Sequence, residues 1–199
     1  MKSDTQLMRE FMQIVLPGIV CSIILGFLFF QSNVLQWSHY AFGFVVFGLI
    51  GSIAFGAFRM LSPSRGWATL LLVFVLLEVL AKPGETYLFL RDVLFTMGMG
   101  TAIYVFHRLF YTRLANVWTA RPLVLASLVA VSATIVTIVQ NLLLVAFYRP
   151  PAFDLLSAMS INLMIGFLVG IGLGVGFEIG AKINARVFNY TNASNANGG

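Results

Sequence analysis

Six long apolar runs, separated by brief polar punctuation, organise this chain. They cover about residues 11–31, 39–60, 66–81, 87–110, 121–148 and 155–181. An α-helix needs about 20 apolar residues to cross a hydrocarbon core of roughly 30 Å. Five of the runs reach that length. The third is the shortest and sits between two turn-like stretches, "SPSRG" and "KPGE". The runs are continuous rather than alternating, which excludes the ten-residue strands of a membrane β-barrel. No gap between them is long enough for a soluble domain. The pattern therefore predicts an all-α integral membrane protein, a six-transmembrane-helix bundle with short loops, over residues 1–188.

The end of the chain reads differently. "NYTNASNANGG", residues 189–199, is polar and Asn-rich, and is expected to be a disordered tail or a linker. Its two sequons, at Asn189 and Asn192, are read as chance matches in that composition.

Composition strengthens the membrane reading. The chain has 199 residues, 59% apolar and only 10% charged, whereas a soluble domain is about a quarter charged. The net charge is +5. The cations lie scattered at the ends of apolar runs and form no patch with interleaved aromatics, so nucleic acid is not an expected partner. The single cysteine, Cys21, lies within an apolar run and allows no internal disulfide framework or Cys-based metal site. The first run is long and others follow it, so it reads as a retained helix rather than a cleaved signal.

Lys and Arg predict the orientation. With the N-terminus in the cytoplasm, the inner set is Lys2, Arg9, Arg59, Arg65, Arg108, Arg113, Arg121, Lys182 and Arg186, and the outer set is Lys82, Arg91 and Arg149. Nine against three supports both termini inside, in a bacterial inner or plasma membrane. Trp37, Trp67 and Trp118, with Tyr40, Tyr87, Tyr111 and Tyr148, fall at span ends, where aromatic belts sit.

Three runs carry small residues at every fourth position: Gly18, Ser22 and Gly26; Gly48, Ser52 and Gly56; Gly166, Gly170 and Gly174. A second row on the sixth run holds Gly172, Gly176 and Gly180. Lipid tails are as apolar as leucine, so close van der Waals approach, rather than apolar burial, holds helices together in a bilayer. These rows predict tight packing of helices one, two and six. Pro17 removes a backbone donor beside the first row and is expected to kink its helix.

Charges at membrane depth cost about 2.5–3.5 kcal/mol on insertion scales, so each of the few present is informative. Glu78 precedes Lys82 by four residues, and Glu178 precedes Lys182 by four. That order favours a helical ion pair at a span end, with the lysine reaching the headgroups. The two pentapeptides, "EVLAK" and "EIGAK", each close a group of three spans. This suggests a weak 3+3 inverted repeat with the glutamates as gate or proton-carrying groups. Arg91 and Asp92 open the fourth span, and Asp92, Thr96, Gly100 and Tyr104 step along one face as an exterior mouth or an interfacial pair.

The fifth run carries Ser127, Thr134, Thr137 and Asn141 within about 80° of one another, with Gln140 beside that face. Asn and Gln at such depth need partners across an interface or in a wet cavity. This stripe, joined by Asn162 of the sixth run, is the candidate lining of a polar path. His39 and His107 fall near opposite surfaces and do not suggest a shared metal. No HExxH, GxSxG or paired-carboxylate signature is present. The Gly170–Lys182 run "GIGLGVGFEIGAK" fails G-x-G-x-x-G in every register and reads as a contact surface, not a phosphate loop.

These features predict a carrier, channel or transporter membrane subunit for a small solute or ion. It would have no cofactor and no catalytic activity, and would sit in the bilayer alone, as a homo-oligomer or with other membrane subunits. The transport reading expects a polar cavity lined by helices four, five and six. The competing reading is a non-transporting anchor, sensor or assembly subunit, for which the bundle would be densely filled. A lipid-directed intramembrane enzyme would need two of Glu78, Asp92, His39, His107 and Glu178 to converge.

Overall fold

The computed structural model describes residues 4–30, 37–81, 86–114, 120–148 and 155–196. These form six long helices: α1 (Asp4–Phe30), α2 (Trp37–Met60), α3 (Pro63–Ala81), α4 (Thr86–Val105), α5 (Ala120–Tyr148) and α6 (Leu155–Ala196). A π-helical turn, Phe106–Tyr111, continues α4. There is no strand among the described residues. Each helix begins or ends within a few residues of an apolar run, except at two places. α1 starts in the polar segment before its run. α6 continues to Ala196, through most of the stretch read as a tail, because neither Pro nor Gly interrupts it between Gly180 and Gly198.

Four segments are long and apolar enough to cross a membrane: Asp4–Leu28, Val93–Tyr111, Ala120–Leu143 and Leu155–Val187. α2 and α3 contribute shorter apolar stretches, Phe47–Met60 and Pro63–Leu76. In α3 the first turn is given to Pro63, Ser64, Arg65 and Gly66, with Pro63 at the helix start, where its missing N–H costs nothing.

α6 lies between α5 and α1, antiparallel to both. The direction follows from its glycines. A Cβ on Gly166 would meet the Ala130 backbone, one on Gly170 would fall 2.5 Å from Ala126 Cα, and one on Gly174 would fall 2.5 Å from Pro122 Cα. The second row meets α1: Gly172 lies on the Ser22 backbone, Gly176 on Pro17 and Gly18, and Gly180 on Gln13. The two rows thus serve two different neighbours. The partner that the sequence rows left unnamed is α5, whose contact surface is made by Ala126, Ala130, Ala133 and Pro122 rather than by glycine.

Pro17 and Gly180 are linked by the same logic. Pro17 has no N–H to donate to the Gln13 carbonyl four residues earlier. That oxygen faces α6 at Gly180, where any Cβ would collide with it. The bare Cα of glycine permits a C–H···O approach, a recurring contact at helix crossings.

α2 closes on α1 through a reciprocal exchange, with Gly18 beneath the Ser52 side chain and Gly48 beneath Ser22. α3 and α4 pack on α2, and α4 packs on α5. The core between these helices is apolar and filled by Phe55, Phe106, Phe177, Ile103, Leu125, Leu173 and their neighbours. Phe55 and Phe177 stack at 4.0 Å between centroids.

Candidate functional site

One end of the bundle gathers the start of α1, the end of α2, the start of α3, the π-turn, the start of α5 and the Glu178 turn of α6. This is the basic end, and Arg121 is its organising residue. Its Nη1 donates to Glu178 Oε1 at 2.8 Å. Its Nε donates to the Leu114 carbonyl at 2.9 Å, and its guanidinium lies 4.8 Å from the centre of the Tyr111 ring. Both charged side chains are about nine-tenths buried, with 11% and 8% exposure. Burial on this scale is tolerable because the guanidinium has a carboxylate, a carbonyl and an aromatic face as partners.

The local sequence explains why these groups meet. The π-turn widens the last turn of α4 and turns its aromatic face toward α2 and α5. Tyr111 then stands between two arginines: Arg59 Nη1 donates to its hydroxyl at 2.9 Å and lies 5.4 Å from its ring centre. His107 stacks against Tyr111, and Phe55 meets both rings edge-on. π-turns inside α-helices frequently mark functional positions. An apolar groove of about 270 Å³ opens at the same end, between Met8 and Phe11 of α1, Ala57, Met60 and Leu61 at the end of α2, and Thr69 of α3, with Asp4 at its margin.

Arg121 enters the sequence reading only as an orienting charge. Its role could have been inferred: it opens the helix before α6 at the same predicted membrane face as Glu178. Lys182 lies one turn beyond Glu178 and is exposed.

The fifth-helix stripe divides. Ser127 is exposed and donates to the Leu123 carbonyl, and Thr134 donates to the Ala130 carbonyl. Thr137, buried, donates to Ala133 and accepts from Asn162 Nδ2 at 2.7 Å, while Asn141 Nδ2 donates to the Thr137 carbonyl at 2.7 Å. Thr137, Asn141 and Asn162 therefore form one knot across α5 and α6. Gln140 is half-buried, and Thr96 is buried on α4. Nearer the basic end, the α4–α5–α6 interior is lined by Met99, Ala102, Ile103, Leu125, Val129, Val169 and Leu173, all buried.

The remaining candidates fall elsewhere. Gly26 is buried on α1, and Gly56 lies against the Phe11 ring. Lys82, Arg149, Trp118 and Lys2 lie outside the described residues, as do the side chains of Glu78, Arg91, Asp92, His39, Trp37, Tyr40, Tyr87 and Tyr148. Among the described residues, no three His, Cys, Asp or Glu side chains come together as a metal site.

No family model matches this chain, and no curated protein or solved structure matches it.

Proposed function

We propose that this chain is a rigid, non-transporting membrane module that assembles with a partner membrane protein. The observation that carries the reading is the way α6 is held. Six of its glycines rest on the backbones of α5 and α1, so sliding α6 would bring neighbouring side chains into backbone. Helices that alternate between two states need room at such crossings. The described interior is filled by Phe, Leu, Ile and Val, and the hydroxyls of Ser127, Thr134 and Thr137 donate within their own helix. The Arg121–Glu178 pair then acts as a clasp that fixes the starting turn of α5 to α6. The six-span topology with both termini in the cytoplasm, in a plasma or bacterial inner membrane, belongs to this proposal and rests on the Lys and Arg bias. The 3+3 repeat gains less support: α6 is wedged between α1 and α5, whereas α3 packs mainly on α2.

The buried Thr137–Asn141–Asn162 knot favours a second reading, passage of a small solute or ion along α5 and α6. One experiment separates the two. The full chain is crosslinked in native membranes, purified in mild detergent and reconstituted into proteoliposomes. A stoichiometric membrane-protein partner and proteoliposomes impermeable to ions and small solutes are expected. Saturable flux through the purified chain would overturn the module reading.

A further inference from the structure

The basic end carries more positive charge than its own carboxylates answer. Glu178 is committed to Arg121. Arg59 on α2 and Arg108 in the π-turn are both exposed, and among the described residues neither has a carboxylate within ion-pair distance. Each is instead held by a tyrosine hydroxyl, Arg59 by Tyr111 at 2.9 Å and Arg108 by Tyr104 at 3.4 Å. Those tyrosines are fixed in turn: the Tyr104 ring meets Phe58 edge-on at 5.3 Å, and the Tyr111 ring meets Phe55 at 5.3 Å. Phe55, Phe58 and Arg59 of α2 thus interlock with Tyr104, Arg108 and Tyr111 at the end of α4.

We propose that the α2–α4 seam at the basic end binds the phosphate of an anionic phospholipid, between the guanidiniums of Arg59 and Arg108 and the hydroxyls of Tyr104 and Tyr111. The chemistry is one-sided. A tyrosine oxygen that accepts from arginine keeps its own O–H to donate, so the seam offers two guanidinium forks and two hydroxyl donors. Guanidinium forks match phosphate oxygens bidentately. The tyrosines hold the forks in place before ligand arrives, which lowers the entropy lost on binding.

Depth selects a lipid over a soluble anion. Arg59 ends the apolar stretch Phe47–Met60, and Arg108 lies in the last turn of Val93–Tyr111. Both guanidiniums therefore sit where apolar helix gives way to polar turn, the level of headgroups. Leu109, beside Arg108, is exposed and offers apolar surface to an acyl chain. Basic pockets between membrane helices are a recognised way of holding anionic headgroups.

The test uses the full chain in mixed vesicles of phosphatidylcholine and phosphatidylglycerol, extracted gently and examined by native mass spectrometry for retained lipid. Wild type is expected to retain phosphatidylglycerol over phosphatidylcholine. Arg59→Gln with Arg108→Gln is expected to lower that preference about thirty-fold, on the order of five-fold per arginine. Arg65→Gln with Arg113→Gln removes equal charge from the same end and is expected to leave the preference within about two-fold. Equal loss in both double variants would overturn the proposal in favour of diffuse attraction. Displacement of the lipid by millimolar inorganic phosphate would overturn it in favour of a soluble anion. Tyr104→Phe with Tyr111→Phe keeps the charge and the packing, and is expected to weaken retention several-fold. Unchanged retention in that variant would overturn the role of the hydroxyls even if the glutamine variant does not fold.

Discussion

Arg121 and Glu178 are 57 residues apart in sequence and 2.8 Å apart in space. Their contact joins the first turn of α5 to a turn near the membrane end of α6, with both side chains shielded from solvent. Removing one partner leaves the other charge buried and unanswered, which typically costs about 3–5 kcal/mol, whereas replacing both with apolar side chains of similar size is often close to neutral. Glu178→Ala is therefore expected to lower the thermal midpoint in detergent sharply. Arg121→Met with Glu178→Leu is expected to recover most of the loss. A double variant as unstable as the single one would mean that the pair does more than offset its own burial.

The glycines of α6 make a graded prediction. Gly170 faces backbone, with Ala126 Cα 2.5 Å from where a Cβ would stand, while Gly56 faces the ring of Phe11 at 2.7 Å. A side chain can rotate away, but a helix backbone must move as a body. Gly170→Ala is expected to cost about 1–3 kcal/mol through overpacking and to loosen α5 from α6. Gly56→Ala is expected to cost clearly less. Stability of the two variants by chemical denaturation in mixed micelles checks the order, and reversal would show that α5 and α6 yield more easily than the Phe11 ring.

Helix limits were legible in the sequence because Pro, Gly and polar residues mark the turns, as "SPSRG" does between α2 and α3. The glycine rows of α6 were legible as contact surfaces, but their partners were not. Gly166, Gly170 and Gly174 choose α5 because Ala126, Ala130 and Pro122 form a smooth facing surface, a match visible only once the two helices are antiparallel and in register. The same register brings Arg121 to Glu178. Local spacing exposes i,i+4 partners such as Lys182 and says nothing about a partner on another helix. The π-turn left no mark either: "FHRLFY" holds neither Gly nor Pro, and packing of Phe55, His107 and Tyr111 accompanies its wider winding.

The α5–α6 polar knot predicts a measurable coupling. Asn162 Nδ2 donates to Thr137 Oγ1 at 2.7 Å. Interhelical hydrogen bonds in membranes average about 0.6 kcal/mol in double-mutant cycles and reach about 1.7. A cycle built from Thr137→Val and Asn162→Leu is expected to fall in that range, read from unfolding free energies in detergent. A coupling indistinguishable from zero would mean that Asn162 finds an equal partner when Thr137 loses its hydroxyl.

Ser22 and Ser52 set apart two hydroxyls from the rest. Thr69, Thr101, Ser127, Thr134, Thr137 and Ser160 each donate to the carbonyl four residues earlier at 2.8–2.9 Å. The oxygens of Ser22 and Ser52, on facing turns of α1 and α2, are fully buried and make no hydrogen bond to another protein group. A buried polar group without a partner costs about 1–3 kcal/mol, so here the small volume of serine matters more than its hydroxyl. Alanine keeps the volume nearly unchanged and removes the polar atom. Ser22→Ala and Ser52→Ala are each expected to leave stability unchanged or raise it by up to about 1 kcal/mol, since the void left by one oxygen offsets part of the gain. Ser52→Val is expected to destabilise, because its added methyl groups would press on the α1 backbone at Gly18. Thermal midpoints of the three variants decide the matter: a clear loss in the alanine variants would show that the hydroxyls hold the seam together, while a loss only in Ser52→Val would show that closeness does.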